Sequence, residues 1–283
     1  MQTVTIESWN DFLGKITITD HAIAQSALKL VYRGEADKDW ELRPSLLRLL
    51  PTDLFTELVL DIEAKALREF RRRSSSFVRP HEWTDEDAIL HWWSIMRHYG
   101  APTRLLDWTY SPYVAAYFAV EQFMETDGAI WRLNEYGVGS NVLHRFSNYE
   151  EPFTERREYF LSSTNPFEVM FIDSPQRSER MIAQQGVFSI CRNVVGHHGK
   201  ILSALEDSRP KLIMQKLIIP AGLKREFLDR LRLMNVTASS LFPGLEGLGR
   251  SIGELVRLEG DLVRRGLEEA AAIASVGAGA SKA

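Results

Sequence analysis

The sequence predicts an α+β fold, on three observations. Helical periodicities dominate the first half. Short runs of branched and aromatic residues, "GAIWRLN", "FEVMFID", "GVFSICR" and "KLIMQKLIIP", dominate the second. No repeat appears at periods of 20 to 50 residues, so helices and strands share one unit rather than a solenoid.

Residues 7–29 begin "SWNDFLGKI" and predict a helix or two leading into a buried strand around Leu30, Val31 and Tyr32. Arg33 ends that strand and Gly34 follows, with Trp40, Arg43, Pro44, Ser45 and Arg48 close behind. A guanidinium in such a place needs an anion. Both an internal carboxylate that fastens the sheet and a bound anion satisfy that need.

From Asp53, apolar residues at 54, 55, 58, 62, 66, 67 and 70 predict an amphipathic helix ending in Arg71, Arg72 and Arg73, a solvated end favoured by the helix dipole. "TDEDAILHWWSIMRHYG" predicts a second helix with Thr84 as cap and Gly100 as stop. "SPYVAAYFAVEQFME" predicts a third, capped by Ser111, opened by Pro112, closed by Asp127 and Gly128, and apolar on nearly every side. After Pro220, Leu223, Phe227, Leu231 and Met234 mark another helical face.

Beyond a Pro- and Gly-containing turn, a terminal helix repeats Ile252, Leu255, Val256, Leu258, Leu262 and Val263, a face expected to pack on the core or else dock a partner. The last residues, "AAAIASVGAGASKA", read as a fraying, disordered tail.

Composition narrows the function. The 283 residues carry 34 basic and 38 acidic side chains, a net charge of −4, so no global basic field marks a non-specific nucleic-acid binder. The single cysteine, Cys191, excludes an internal disulfide framework, fits a reducing compartment and predicts a cytoplasmic protein. The amino-terminal stretch lacks a secretion pattern, and no apolar run approaches the ~20 residues that span a bilayer, so no membrane partner is expected. His197 and His198 lack a third ligand at metal spacing and predict an exposed turn; no metal is expected.

Two further stretches crowd polar groups where a plain core would not. In residues 96–119, His98, Thr103, Arg104, Asp107, Trp108 and Thr109 precede a helix whose first amides are expected to be free for an anion. In residues 178–190, Gln184 and Gln185 precede Gly186 and a strand.

The ordered set "YRG", "HYGAPTRLLDWTYSPYVAAYFA", "RMIAQQGVF" and "SLFPGLEGLGRSI" resembles the FRG domain, over about residues 28–252. FRG domains in turn resemble remote members of the ADP-ribosyltransferase superfamily. The resemblance implies a split β-sheet core with flanking helices over residues 1–252, followed by a carboxyl-terminal helix and tail over 253–283.

By the same resemblance, Arg33 and Gly34 match the first superfamily motif. Asp107, Trp108 and Thr109 with Ala115, Ala116, Phe118 and Ala119 match the second, and Gln184, or secondarily Gln185, the third. It implies NAD as substrate, held by Tyr32, Arg33, Gly34, Arg104, Trp108, Thr109 and Phe118, with Arg33, Gln184 and Asp107 in the chemistry. Arg33 is expected to hold the pyrophosphate or adenosine ribose, Gly34 to let the backbone approach the nicotinamide amide, and Trp108 or Tyr32 to stack on the ring. Gln184 stands where many relatives have a glutamate, so Asp107, or secondarily Glu179, is expected to supply the missing charge. The implied setting is a bacterial toxin or anti-phage effector with a nucleic-acid or protein acceptor and an accompanying antitoxin or chaperone. The rival reading is a module that binds NAD, ADP-ribose or nucleic acid without catalysis.

Overall fold

Strands of alternating side chains assemble into one open mixed sheet in a computed structural model that describes residues 2–26, 29–74, 76–77, 89–135, 138, 160–162, 168–172, 178–206 and 214–280. The strands are β1 (Gln2–Thr5), β2 (Leu30–Glu35), β3 (Leu105–Thr109), β4 (Gly128–Asn134), β5 (Val169–Ile172), β6 (Gly186–Cys191) and β7 (Met214–Ile219). They lie in the order β1-β7-β4-β2-β3-β6-β5. β1 runs parallel to β7, and every other neighbouring pair is antiparallel.

One junction is weak. β2 pairs with β4 from Leu30 to Glu35, and β3 pairs with β6 from Leu105 to Thr109, but β2 and β3 meet only at Tyr32 and Thr109. The two halves of the sheet therefore part directly after Tyr32.

The alternation of strand side chains builds a core on each face. Leu30, Tyr32 and Ile130 enter one cluster, beneath α1 (Trp9–Ser26), α5 (Pro112–Val120) and α8 (Ala221–Leu233). Val31, Trp108 and Trp131 enter the opposite one, with Phe171 and Leu202, the latter from α7 (His198–Glu206). A third cluster lies under α4 (Ile89–His98) and centres on Trp93, Met96 and Ile190. The remaining helices are α2 (Ser45–Arg48), α3 (Thr56–Ser74), α6 (Glu179–Ala183), α9 (Ala238–Leu241) and α10 (Leu245–Ala280).

α5 explains a run of small residues. Ser111 caps it by accepting from the Val114 amide, and Pro112 occupies its first turn. A Cβ built on Gly34 would stand 2.0 Å from the Ala115 carbonyl oxygen and 2.8 Å from the Ala119 nitrogen. The glycine of "YRG" therefore lets α5 lie flat on β2.

Several expectations shift. α5 ends at Val120 rather than near Asp127, because Phe123 adopts φ 49° and the buried Lys224 ammonium donates to the carbonyls of Ala36, Gln122 and Phe123 at 2.6, 3.0 and 2.9 Å. Backbone captured in this way cannot continue a helical ladder. Gly100 does stop α4, at φ 79°, while the Thr84 cap lies outside the described residues. His198 opens a helix fully buried against Cys191 instead of an exposed turn, although His197 does reach the surface and meets Glu41 at 3.0 Å. α10 runs on to Ala280, through most of the segment read as a disordered tail. Among the described residues no helix is long and apolar enough to cross a membrane.

Candidate anion-binding cleft at the sheet seam

A cavity of about 290 Å³ opens where β2 and β3 part. Instead of a ladder bond, the Arg33 side chain spans the gap: one terminal nitrogen donates to the Asp107 carbonyl at 2.8 Å, and Nε donates to Glu35 Oε1 at 2.7 Å. Glu35 falls on the same face as Arg33 because the two are two residues apart on one strand. The internal carboxylate that the sequence left open for Arg33 is thus present.

Three more arginines line the cleft, each from a different element: Arg48 ends α2, Arg97 lies in the last turn of α4, and Arg180 lies in α6. Arg97 grips Asp107 with Nε at 2.9 and 3.1 Å from the two carboxylate oxygens and with a terminal nitrogen. Burial raises the Asp107 carboxyl, but the Arg97 charge and hydrogen bonds, with Arg33 and Arg180 behind them, outweigh burial and hold it at about 2. Its side chain remains 39% exposed to the cleft.

Arg180 donates to the His98 carbonyl at 3.2 Å, faces Glu246 at 3.6 Å and lies over the Phe242 ring. Burial, with the Arg180 charge beside it, pushes the His98 imidazole below its ordinary value. Arg48 is exposed at the cleft and has no ion-pair partner among the described residues; partial desolvation and the charge of Arg33 push its guanidinium downward. The opposing carboxylates on the walls are Glu35, Asp107 and Glu121, and burial raises the last of these. On the lining four arginines face three carboxylates, and Glu246, off the lining, answers Arg180, so the unanswered positive charge is local to Arg48.

Most of the residues singled out in the sequence meet here, but several in other roles. Tyr32, Arg33, Gly34, Asp107, Trp108, Thr109, Phe118 and Gln184 all border the cleft. Trp108 turns its ring to the opposite face, where it donates to Ser189 Oγ at 2.8 Å and meets Phe171 edge-on, so it offers no stacking surface. Thr109 Oγ1 donates to the Gln184 carbonyl at 2.7 Å and accepts from the Ser111 amide at 3.0 Å, which pins the third motif to the second. One of the α5 amides expected to be free is taken by the Ser111 cap.

Gln184 sits in the turn after α6 rather than at a strand start, and its side-chain amide donates to the Leu241 carbonyl at 3.1 Å. Gln185, exposed at φ 47°, and Glu179, exposed on α6, do not line the cleft.

Arg104 is a clear correction. It is 1% exposed, pairs through two nitrogens with Glu63, itself 2% exposed, donates to the Phe160 carbonyl at 2.8 Å and stacks on Trp93 at 4.8 Å. Its position just before β3 carries it into the third core cluster, away from the cleft.

Glu35, Arg97, Arg180 and Glu121 were not anticipated. Two had signals: Glu35 at the i,i+2 spacing of a strand face, and Arg180 one helical turn before Gln184. Trp40, 42% exposed at the cleft and edge-on to Phe123 at 5.5 Å, supplies an accessible aromatic ring.

A seven-stranded open mixed sheet with flanking helices and an arginine-lined cleft at its weakest seam defines a mixed α/β protein. Within it, residues 28–128 match the family model of the FRG domain, the family to which the sequence motifs point. The match holds β2, the Arg33–Glu35 pair, β3 and α5, and ends before α6, so Gln184 and Arg180 lie outside it. No curated protein and no solved structure matches the chain.

Proposed function

We propose that the chain binds NAD in the seam cleft and transfers its ADP-ribose unit to an acceptor. The observation that carries this reading is the convergence of Arg33, Arg48, Arg97 and Arg180 on one cleft, with Arg48 unpaired among the described residues. A diphosphate supplies the missing negative charge at Arg48, and Trp40 offers a face on which adenine stacks. A cavity of about 290 Å³ is small for a ligand pocket, enough for the nicotinamide riboside end, with the adenosine lying along Trp40. Two nitrogens of Arg33 are already engaged within the protein, so Arg33 holds the cleft open and leaves its remaining terminal nitrogen for the ligand.

The reaction breaks the bond from ribose C1′ to the nicotinamide nitrogen. The electron pair leaves with neutral nicotinamide, and C1′ acquires oxocarbenium character, as in glycoside cleavage. The acceptor's oxygen or nitrogen then bonds to C1′ and loses its proton. Asp107, ionised at every physiological pH, supplies negative charge near the developing cation. Gln184, fixed through its amide nitrogen, presents its oxygen to the ribose hydroxyls.

The test is incubation with NAD labelled on the adenine side, with and without cell extract, following nicotinamide release and transfer of label to nucleic acid or protein. Release and transfer that fall in Asp107→Asn are expected. In the toxin or anti-phage setting implied by the FRG resemblance, wild-type expression arrests bacterial growth and the Asp107→Asn variant does not.

A second reading, a nucleotide-binding module without chemistry, is favoured by one observation: Glu35 and Asp107 are both matched by arginines, and Gln184 is neutral. NAD or ADP-ribose binding with no nicotinamide release above the buffer blank selects that reading.

A further inference from the structure

The terminal helix α10 is mounted with its polar side inward. The row that rests on the body is Gly247, Ser251, Glu254 and Leu258, at the four- and three-residue spacing of one helix face. Gly247 leaves no room for a Cβ, which would stand 1.9 Å from the Phe242 carbonyl oxygen. The attachments along this side are polar: Tyr117 donates to Glu254, Arg250 lies over the Phe242 ring, and Arg264 faces Glu125.

The apolar face, expected to pack on the core, points to solvent instead. Leu248, Ile252, Leu255, Val256, Leu262 and Val263 are each 48–65% exposed, and the stripe extends from Leu245 to Leu267. A surface helix normally does the reverse, and an exposed apolar stripe of this length, interrupted by Glu259, marks an interaction surface.

We propose that this face pairs with the same face of a second copy of the chain. Three observations select that occupant. First, the charges of the helix over residues 246–265 balance, Glu246, Glu254, Glu259 and Asp261 against Arg250, Arg257, Arg264 and Arg265, so it has neither the basic excess that draws anionic lipid nor a single sign that selects an opposite partner. Second, the helix carries both halves of a helix–helix fit. Gly249, Gly253 and Gly260 form a row along one margin of the stripe, and among the described residues nothing lies within 4 Å of the Cβ each lacks. Such glycines weaken an isolated helix, but they form a shallow groove into which the Leu and Val ridge of an identical helix fits. A two-fold axis satisfies ridge and groove on both copies at once. Third, eight large apolar side chains, Leu245 to Leu267, each stand 48–85% exposed, enough apolar surface for the core of a standard interface of ~800 Å² per partner.

The test is sedimentation velocity on the full chain, with Leu255→Glu and, separately, Gly253→Gln. Wild type is expected to sediment as a dimer at micromolar concentration and both variants as monomers. Glutamine at 253 strengthens the isolated helix, so Gly253→Gln keeps or raises helical circular dichroism while losing the dimer, an outcome that misfolding does not produce. A monomeric wild type, a dimer that survives both variants, or cosedimentation of the stripe with phosphatidylserine vesicles that Leu255→Glu abolishes would each overturn the proposal.

Discussion

Two arginine–carboxylate arrangements meet at β3, one through Arg104 just before the strand and one through Asp107 within it, and do opposite things. Arg104 and Glu63 form a closed unit: both are almost wholly removed from solvent, and the guanidinium is engaged by the carboxylate, by the Phe160 carbonyl and by the Trp93 ring. Arg33, Arg48, Arg97 and Arg180 form an open one, in which Glu35 and Asp107 answer some of the charge and Arg48 is left over. The first arrangement is complete without a ligand and fixes α3 against β3. The second leaves Arg48 without an ion-pair partner among the described residues, and under the proposed function that unanswered charge, rather than burial, sets a binding arginine apart from a structural one.

The largest effect belongs to the closed pair. Arg104→Met leaves Glu63 charged and unpaired in the core and is expected to cost about 3–5 kcal/mol, seen as a large fall in the urea midpoint. Arg104→Met combined with Glu63→Leu recovers most of that loss. An Arg104→Met protein of normal stability that has lost nucleotide binding would erase the distinction.

Arg48→Ala sharpens it from the other side. Stability is expected to stay unchanged, while NAD affinity by calorimetry falls about 10- to 100-fold, the scale of one charged hydrogen bond at ~1.5–3 kcal/mol. A smaller effect is expected at Gln184→Ala: binding holds within about threefold, and nicotinamide release falls about 10-fold or more. Full activity in that variant, with a dead Asp107→Asn, would move the third-motif role wholly to Asp107.

The sequence made α5 legible because its signals are local: a serine cap, a proline in the first turn and an apolar surface all round. β2 was equally plain, from its run of branched and aromatic residues. What escaped depends on partners distant in the chain. Nothing in "MRHYGAPTRLLDW" says that Arg97 faces Asp107 while Arg104 turns to Glu63, 41 residues earlier, because the choice rests on the phase of β3 and the seat of α4. Nothing local to Gly34 says that α5 occupies the space where its Cβ would stand. β1, four mostly exposed residues, gave no buried pattern and exists as an edge strand by pairing with β7. In α10 the amphipathic pattern was visible, yet which side would meet the body was not, since that depends on where Tyr117, Phe242 and Glu125 stand.

The smallest predicted effect concerns pH, and it tests whether the open cleft holds Asp107 as tightly as its geometry states. The folded-state carboxyl, at about 2, lies below its ordinary value of 3.8. Below both values the folded and unfolded chains carry the same proton, so the group contributes nothing. Above the ordinary value its contribution is fully present, and it is lost as pH falls through the folded value. The difference in unfolding midpoint between wild type and Asp107→Asn should therefore stay constant from pH 8 to 5 and close only as pH drops from about 4 toward 2. Closure already at pH 5 would mean that Arg97 does not neutralise Asp107. The carboxylate would then be free to act alone, and the cleft would hold one more unpaired arginine than the geometry assigns.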